Sequence, residues 1–207
     1  MSEKISNVAV VDLGTNKTVC LIGREANDHR IEVIGHSVMP SAGIRRGVVL
    51  NIAEAARVIK AVVAQASVKA DSSVQKLYLN VTGQNFATVQ LNLQKSIEPG
   101  CTITQSDIRE LKEKARFNVK LNEGDKVYHV ITQSYEVDGE SGVVNPIGIR
   151  GQLLSADYRL IIGPELYEQN IQAAVKMAGY EMVRCMVNPL AAAESVISDD
   201  EKEAGVA

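Results

Sequence analysis

The chain reads as an α/β protein: a mixed sheet with a helix across one face, interrupted by a smaller α+β unit. Three observations predict this. The first eighty or so residues run strand, strand, strand, helix, strand; residues 83–158 change to an alternating strand, a helix and two more strands; the remainder returns to helix, strand, helix. A hairpin leaves its strands antiparallel whereas a helical crossover returns the chain parallel, so the combination requires a mixed sheet.

In order, Val8-Ala9-Val10-Val11 and Thr18-Val19-Cys20-Leu21-Ile22 are two apolar strands around a tight turn, and residues 31–38 continue the hairpin as a third. Asn51 and Glu54 stand as an Asn-x-x-Glu capping box, after which Ile52, Ala55, Ile59, Val62, Val63 and Ala66 keep helical spacing. Residues 77–81 return to extended, apolar character before Gly83. Ala87, Val89, Leu91 and Leu93 then alternate with Thr88, Gln90, Asn92 and Gln94, a strand with one wet face. Its apolar side is read as lying under a helix that starts near Gln105, capped by Thr104 and carrying Ile108, Leu111 and Ala115; its free edge could pair with another chain. Strands follow over 127–137 and 154–162.

Gly163-Pro164 reads as a helix start and Gly179 as its end, with Tyr167, Ile171, Val175 and Ala178 on the buried face. Residues 182–187 form a strand, Asn188-Pro189 caps a helix over 190–196, and the acidic stretch 198–203 reads as a solvated loop. Gly205-Val206-Ala207 resembles the start of a further strand, so the chain is expected to be a fragment.

Composition narrows the function. The 207 residues, 45% hydrophobic and 23% charged, are an ordinary globular balance with room for a sizeable core. A net charge of −3, 4% aromatics and no Trp supply neither a basic footprint nor a stacking platform, so nucleic acid is not an expected partner. Cys20, Cys101 and Cys185 have no metal or redox spacing, and Cys20 and Cys185 read as buried thiols. His29, His36 and His129 share no ligand spacing; His29 reads as a turn residue. Met1–Ser6 has no signal core and no apolar run reaches bilayer length, so a cytoplasmic location is expected.

The chemistry concentrates in Asp12-Leu13-Gly14-Thr15-Asn16-Lys17, the first turn. Gly14 and Asn16 are expected to supply positive φ, and the successive N–H groups an anion-binding nest. Thr15 adds a hydroxyl, Lys17 a point charge, and Asp12 a carboxylate suited to a hydrated Mg²⁺. The bland alternative is an ordinary hairpin with a polar tip, a solvated Lys17 and an Asx turn at Asp12.

Four further segments carry a resemblance. Residues 41–49 (SAGIRRGVV), 129–135 (HVITQSY), 145–151 (NPIGIRG) and 188–193 (NPLAAA), together with the turn at Asp12, resemble the FtsA family of bacterial cell-division proteins in the actin-like ATPase superfamily. The resemblance implies an actin-like (ribonuclease H-like) subdomain 1A over 1–82 and 159–207, with an inserted SHS2-type 1C subdomain over 83–158. It also implies an ATP-binding homologue of actin that polymerises and links the FtsZ ring to the cytoplasmic face of the inner membrane. Asp12, Gly14, Thr15, Asn16 and Lys17 would line the phosphate side of the cleft, with Mg held through water at Asp12. Residues 83–158 would meet other FtsA subunits and division proteins. The family's second phosphate loop, FtsZ-binding subdomain and C-terminal membrane helix would fall beyond Ala207, so weak ATP binding and no turnover are expected of this chain alone. A PilM-like adaptor and an actin-fold small-molecule kinase are the alternatives; the second would need a catalytic Asp and a sugar-binding loop, and neither is visible.

Overall fold

The structure, a computed structural model, describes residues 7–26 and 30–205. Its elements in chain order begin with β1 (Asn7–Leu13), β2 (Lys17–Glu25), β3 (Ile31–Pro40), the short β4 (Ile44–Arg45) and β5 (Val48–Val49), α1 (Ile52–Ala70) and β6 (Lys76–Val81). Then come β7 (Ala87–Ser96), α2 (Gln105–Asn118), β8 (Asp125–Val137), β9 (Glu140–Val143) and β10 (Leu153–Pro164). The chain continues with α3 (Glu165–Met177), β11 (Glu181–Val187), α4 (Asn188–Val196) and α5 (Asp199–Ala204). It divides into two compact units, residues 1–84 with 166–207, and residues 85–165.

The first unit is built on a five-stranded sheet in the order β11-β6-β1-β2-β3. The hairpin β1–β2 and its neighbour β3 pair antiparallel, while β1–β6 and β6–β11 are parallel, as a mixed sheet demands. Helix α1 buries Ala55, Ala56, Ile59, Val62, Val63 and Ala66, and its cap is half of the expected box: the Asn51 side chain accepts from the Glu54 N–H. It packs against β3 and β2, and the sheet residues Ala9, Val11, Cys20 and Ile22 are fully buried. Burial pushes the Cys20 thiol up to about 11, which suits a packing role. Helix α3 adds Ile171, Ala174 and Val175 to the core.

The opposite face of this sheet is apolar and open. Leu21 pairs with Val10 and Val10 with Tyr78, a row across three strands, and the three are 41%, 42% and 40% exposed.

The second unit is a four-stranded antiparallel sheet, β7-β10-β8-β9, with α2 packed against one face. Leu111 and Ala115 of α2 meet Leu154, Ala156, Tyr158 and Leu160 of β10 in one core. Thr104 caps α2 in a full capping box with Asp107. Asp107 and Glu110 also hold the Lys95 ammonium of β7, tying the first two turns of the helix to the edge strand. At the neck of the unit, Phe86 lies edge-to-face with Tyr128 at 5.0 Å, and a Cβ on Gly163 would meet the Phe86 ring. The Tyr128 hydroxyl donates to the Pro164 carbonyl, 2.8 Å, and the Glu165 N–H to that of Gly124, also 2.8 Å.

Several expectations need correction. Strand β10 runs unbroken through 158/159 to Pro164, so its whole length belongs to residues 85–165, and Pro164 closes this strand instead of opening α3. The unit has an extra short strand, β9, which pairs with β8 across the turn at Asp138-Gly139. Residues 199–204 form α5, because Ser198 and Glu201 make a reciprocal capping box that an acidic loop reading overlooks. His29, Val206 and Ala207 lie outside the described residues.

Candidate functional site

Strands β1, β6 and β11 are parallel neighbours, so their carboxyl ends fall on the same edge of the sheet, where open α/β folds place ligands. Three polar residues meet there: Asp12 near the end of β1, Asn80 near the end of β6, and Asn188 at the start of α4. They share an open groove of roughly 710 Å³ with Tyr78, Ala191 and Ser195.

Asn80 is the buried member of the trio, and its amide is fully used. Its Oδ1 accepts the Leu13 N–H at 2.7 Å, which fixes the orientation of the amide because a backbone N–H can only donate. Nδ2 then donates to Asp12 Oδ1 at 2.6 Å and, at 3.4 Å, towards Asn188 Oδ1. Asn188, expected to cap α4, is instead its first helical residue: Val187 occupies the cap position without a side-chain bond, and the Asn188 oxygen faces Asn80.

The turn itself is tight for a reason other than the one expected. Neither Gly14 nor Asn16 has positive φ. Gly14 is needed because its N–H closes the turn on the Lys17 carbonyl, 3.1 Å, and a Cβ would lie 2.6 Å from that same oxygen. The Gly14 amide is therefore spent within the turn and cannot serve a nest. The left-handed conformations lie in the next loop, at Gly43, Arg46 and Gly47, with φ of 75°, 51° and 78°.

That loop braces the turn. The Ser41 N–H donates to the Asn16 carbonyl at 3.1 Å, and Ser41 Oγ to the Gly14 carbonyl at 2.7 Å, so the Thr18 hydroxyl donates to Ser41 Oγ at 2.8 Å. The Gly47 N–H donates to Thr15 Oγ1 at 3.0 Å, leaving the Thr15 proton free to serve an outside acceptor. The residues brought together are thus Asp12, Gly14 and Thr15, with Asn16 and Lys17 exposed at the tip. Sequence reasoning misses Asn80, Ser41 and Gly47. The one usable signal is Asn80 itself, a lone amide in an apolar strand, since a buried polar group requires partners.

Chemically, the arrangement suits a hydrated magnesium–phosphate group. Mg²⁺ keeps several waters and takes one or two carboxylates plus phosphate oxygens. Asp12 offers an exposed carboxylate with one oxygen held by Asn80, and no group of three or more His, Cys, Asp or Glu stands ready for a metal cage among the described residues. No helix among them is long and apolar enough to cross a membrane.

Comparison with known proteins supplies the family. Residues 83–162 match the SHS2 domain inserted in FtsA. The chain is 30% identical to cell division protein FtsA of Neisseria meningitidis over 206 residues, all of this chain and 49% of that protein. It is 29% identical to FtsA of Pseudomonas aeruginosa, covering 95% of this chain and 46% of the relative, and 28% identical to that of Escherichia coli K12, covering 96% and 47%. The chain belongs to the FtsA family. It corresponds to the N-terminal half of FtsA and spans about half the length of these relatives. Among solved structures, the PilM–PilN type IV pilus biogenesis complex matches with a TM-score of 0.60 at 12% identity, over 90% of this chain and 49% of that one. This likeness shows a shared actin-type fold, while the FtsA sequences carry the family assignment.

Proposed function

We propose that the chain is the N-terminal part of an ATP-binding, actin-like division scaffold that polymerises and links the FtsZ ring to the cytoplasmic face of the inner membrane. One observation carries the nucleotide part of this reading: an exposed Asp12 carboxylate and a braced Gly14–Lys17 turn stand at the common carboxyl edge of three parallel strands. In this reading the Thr15 hydroxyl and the Lys17 ammonium meet phosphate oxygens, and Asp12 holds Mg²⁺ through water. The unit of residues 1–84 with 166–207 acts as subdomain 1A and that of residues 85–165 as subdomain 1C, the part that meets neighbouring FtsA subunits and other division proteins. Family membership across the whole chain supports the scaffold over a kinase.

Calorimetry with Mg-ATP tests this on two proteins, the present chain and the same gene product extended to the length of its relatives. The extended form is expected to bind, and Lys17→Ala to weaken that binding about tenfold, the loss of a charge-assisted contact of roughly 1.4 kcal/mol. The present chain is expected to bind far more weakly and to turn over no ATP. Failure of both forms to bind would remove the nucleotide role and leave an adaptor.

A further inference from the structure

The geometry points to a role for Asn80 that the turn motif does not contain: we propose that it is the positioning residue for the Asp12 carboxylate, setting how that carboxylate meets a magnesium–nucleotide. This rests on the reading of Asp12 given above.

A carboxylate at a strand end can rotate, and each rotation presents a different lone pair to a cation. Here rotation is restrained. Asn80 is buried, anchored through its Oδ1 on the Leu13 N–H at 2.7 Å, and its Nδ2 grips Asp12 Oδ1 at 2.6 Å. The clamp occupies one Asp12 oxygen with a neutral donor and leaves the other for a water of the metal's shell. Neutrality matters at this position. A lysine would compete with the cation for the carboxylate, and a second carboxylate would add a ligand and a like charge. The remaining Asn80 proton points towards Asn188 Oδ1, so the clamp also touches the first residue of α4. Hydrogen-bonding partners behind a metal ligand typically govern metal affinity by about 10–100-fold.

The test uses the gene product extended to the length of its relatives, a fluorescent ATP analogue as probe, and two variants. Asn80→Ala removes the amide; Asn80→Leu removes it while keeping the side-chain volume. Each is titrated with Mg²⁺ at fixed nucleotide, and analogue affinity is measured separately in EDTA. The Mg²⁺ concentration at half-saturation is expected to rise about tenfold in both, with metal-free affinity within about twofold of the parent. Asp12→Ala is run alongside. If Asp12→Ala leaves the Mg²⁺ dependence unchanged, the reading of Asp12 fails and the proposal with it. If Asp12→Ala weakens it but the Asn80 variants match the parent, only the proposal fails. Equal losses with and without Mg²⁺, or loss of cooperative melting in both Asn80 variants, would make Asn80 a structural residue and overturn it.

Discussion

The two sheets of this chain are each covered by helix on one face and differ on the other. In the five-stranded sheet the row Leu21–Val10–Tyr78 is apolar and open. In the four-stranded sheet the equivalent outward row is Asn92–Asp157–Ser134, where the Asp157 carboxylate accepts from Asn92 at 2.8 Å and from Ser134 at 3.0 Å. The second surface satisfies its own polar groups and is finished towards water. The first has apolar residues on both sides of β1, the pattern of strands packed on both faces. A sheet's alternation therefore records whether a layer belongs on its far side, and by that measure the SHS2 unit is self-contained and the five-stranded sheet is patterned for a second cover.

The largest effect that can break this contrast is a core truncation. Leu111→Ala, in the fully buried contact of α2 with its sheet, is expected to lower the unfolding free energy of residues 85–165 by about 3 kcal/mol in urea titrations. Leu21→Ala on the open row should cost less than about 1 kcal/mol. Equal costs would mean that the open row is already packed in solution.

Acid sharpens the contrast next. The Lys95 ammonium, then the Thr104 hydroxyl, hold the Asp107 carboxyl down at about 2. With the folded value depressed, the stabilisation is fully present above the unfolded carboxyl's ordinary range near 4 and is lost as pH falls towards 2. Melting of residues 85–165 should therefore drop over that window by an amount on the order of 1 kcal/mol, discounted because solvent reaches the pair. Asp107→Asn should be less stable at neutral pH and lack this part of the drop; a variant with an unchanged pH profile would refute the assignment.

The smallest effect on folding, within about 0.5 kcal/mol, is expected from Thr88→Lys with Gln90→Lys on the exposed side of edge strand β7. Its informative readout is self-association. Sedimentation that shifts towards smaller species supports use of the β7 edge, and unchanged sedimentation counts against it.

Much of this architecture is legible because its signals are local. Thr104 with Asp107 announces the start of α2, and Ala87 to Leu93 announces a half-buried strand, each from residues within a turn or two. The elements that escape are those with little local signal: β9 is four residues with two polar members and a glycine, held by pairing with β8. In the candidate site, Asp12 to Lys17 are visible as a contiguous motif, but their brace is not. Ser41 and Asn80 reach the turn from 27 and 67 residues away. Asn188 misleads for a physical reason as well, since Asn before Pro at a helix start satisfies every rule for a cap, and the competing acceptor role depends on a partner in another strand.

The neck of the SHS2 unit has a consequence for how such a chain can change over time. Ala87 and Ile162 face each other across β7 and β10, and Phe86, Tyr128 and Gly163 close the same end. The two ends of the insertion are thus hydrogen-bonded neighbours, and the surrounding fold experiences the whole unit as it would a short hairpin loop. The entropy of closing that loop is met inside the insertion itself. A lineage can therefore enlarge, trim or replace everything beyond the neck without renegotiating the sheet that carries the Asp12–Lys17 turn.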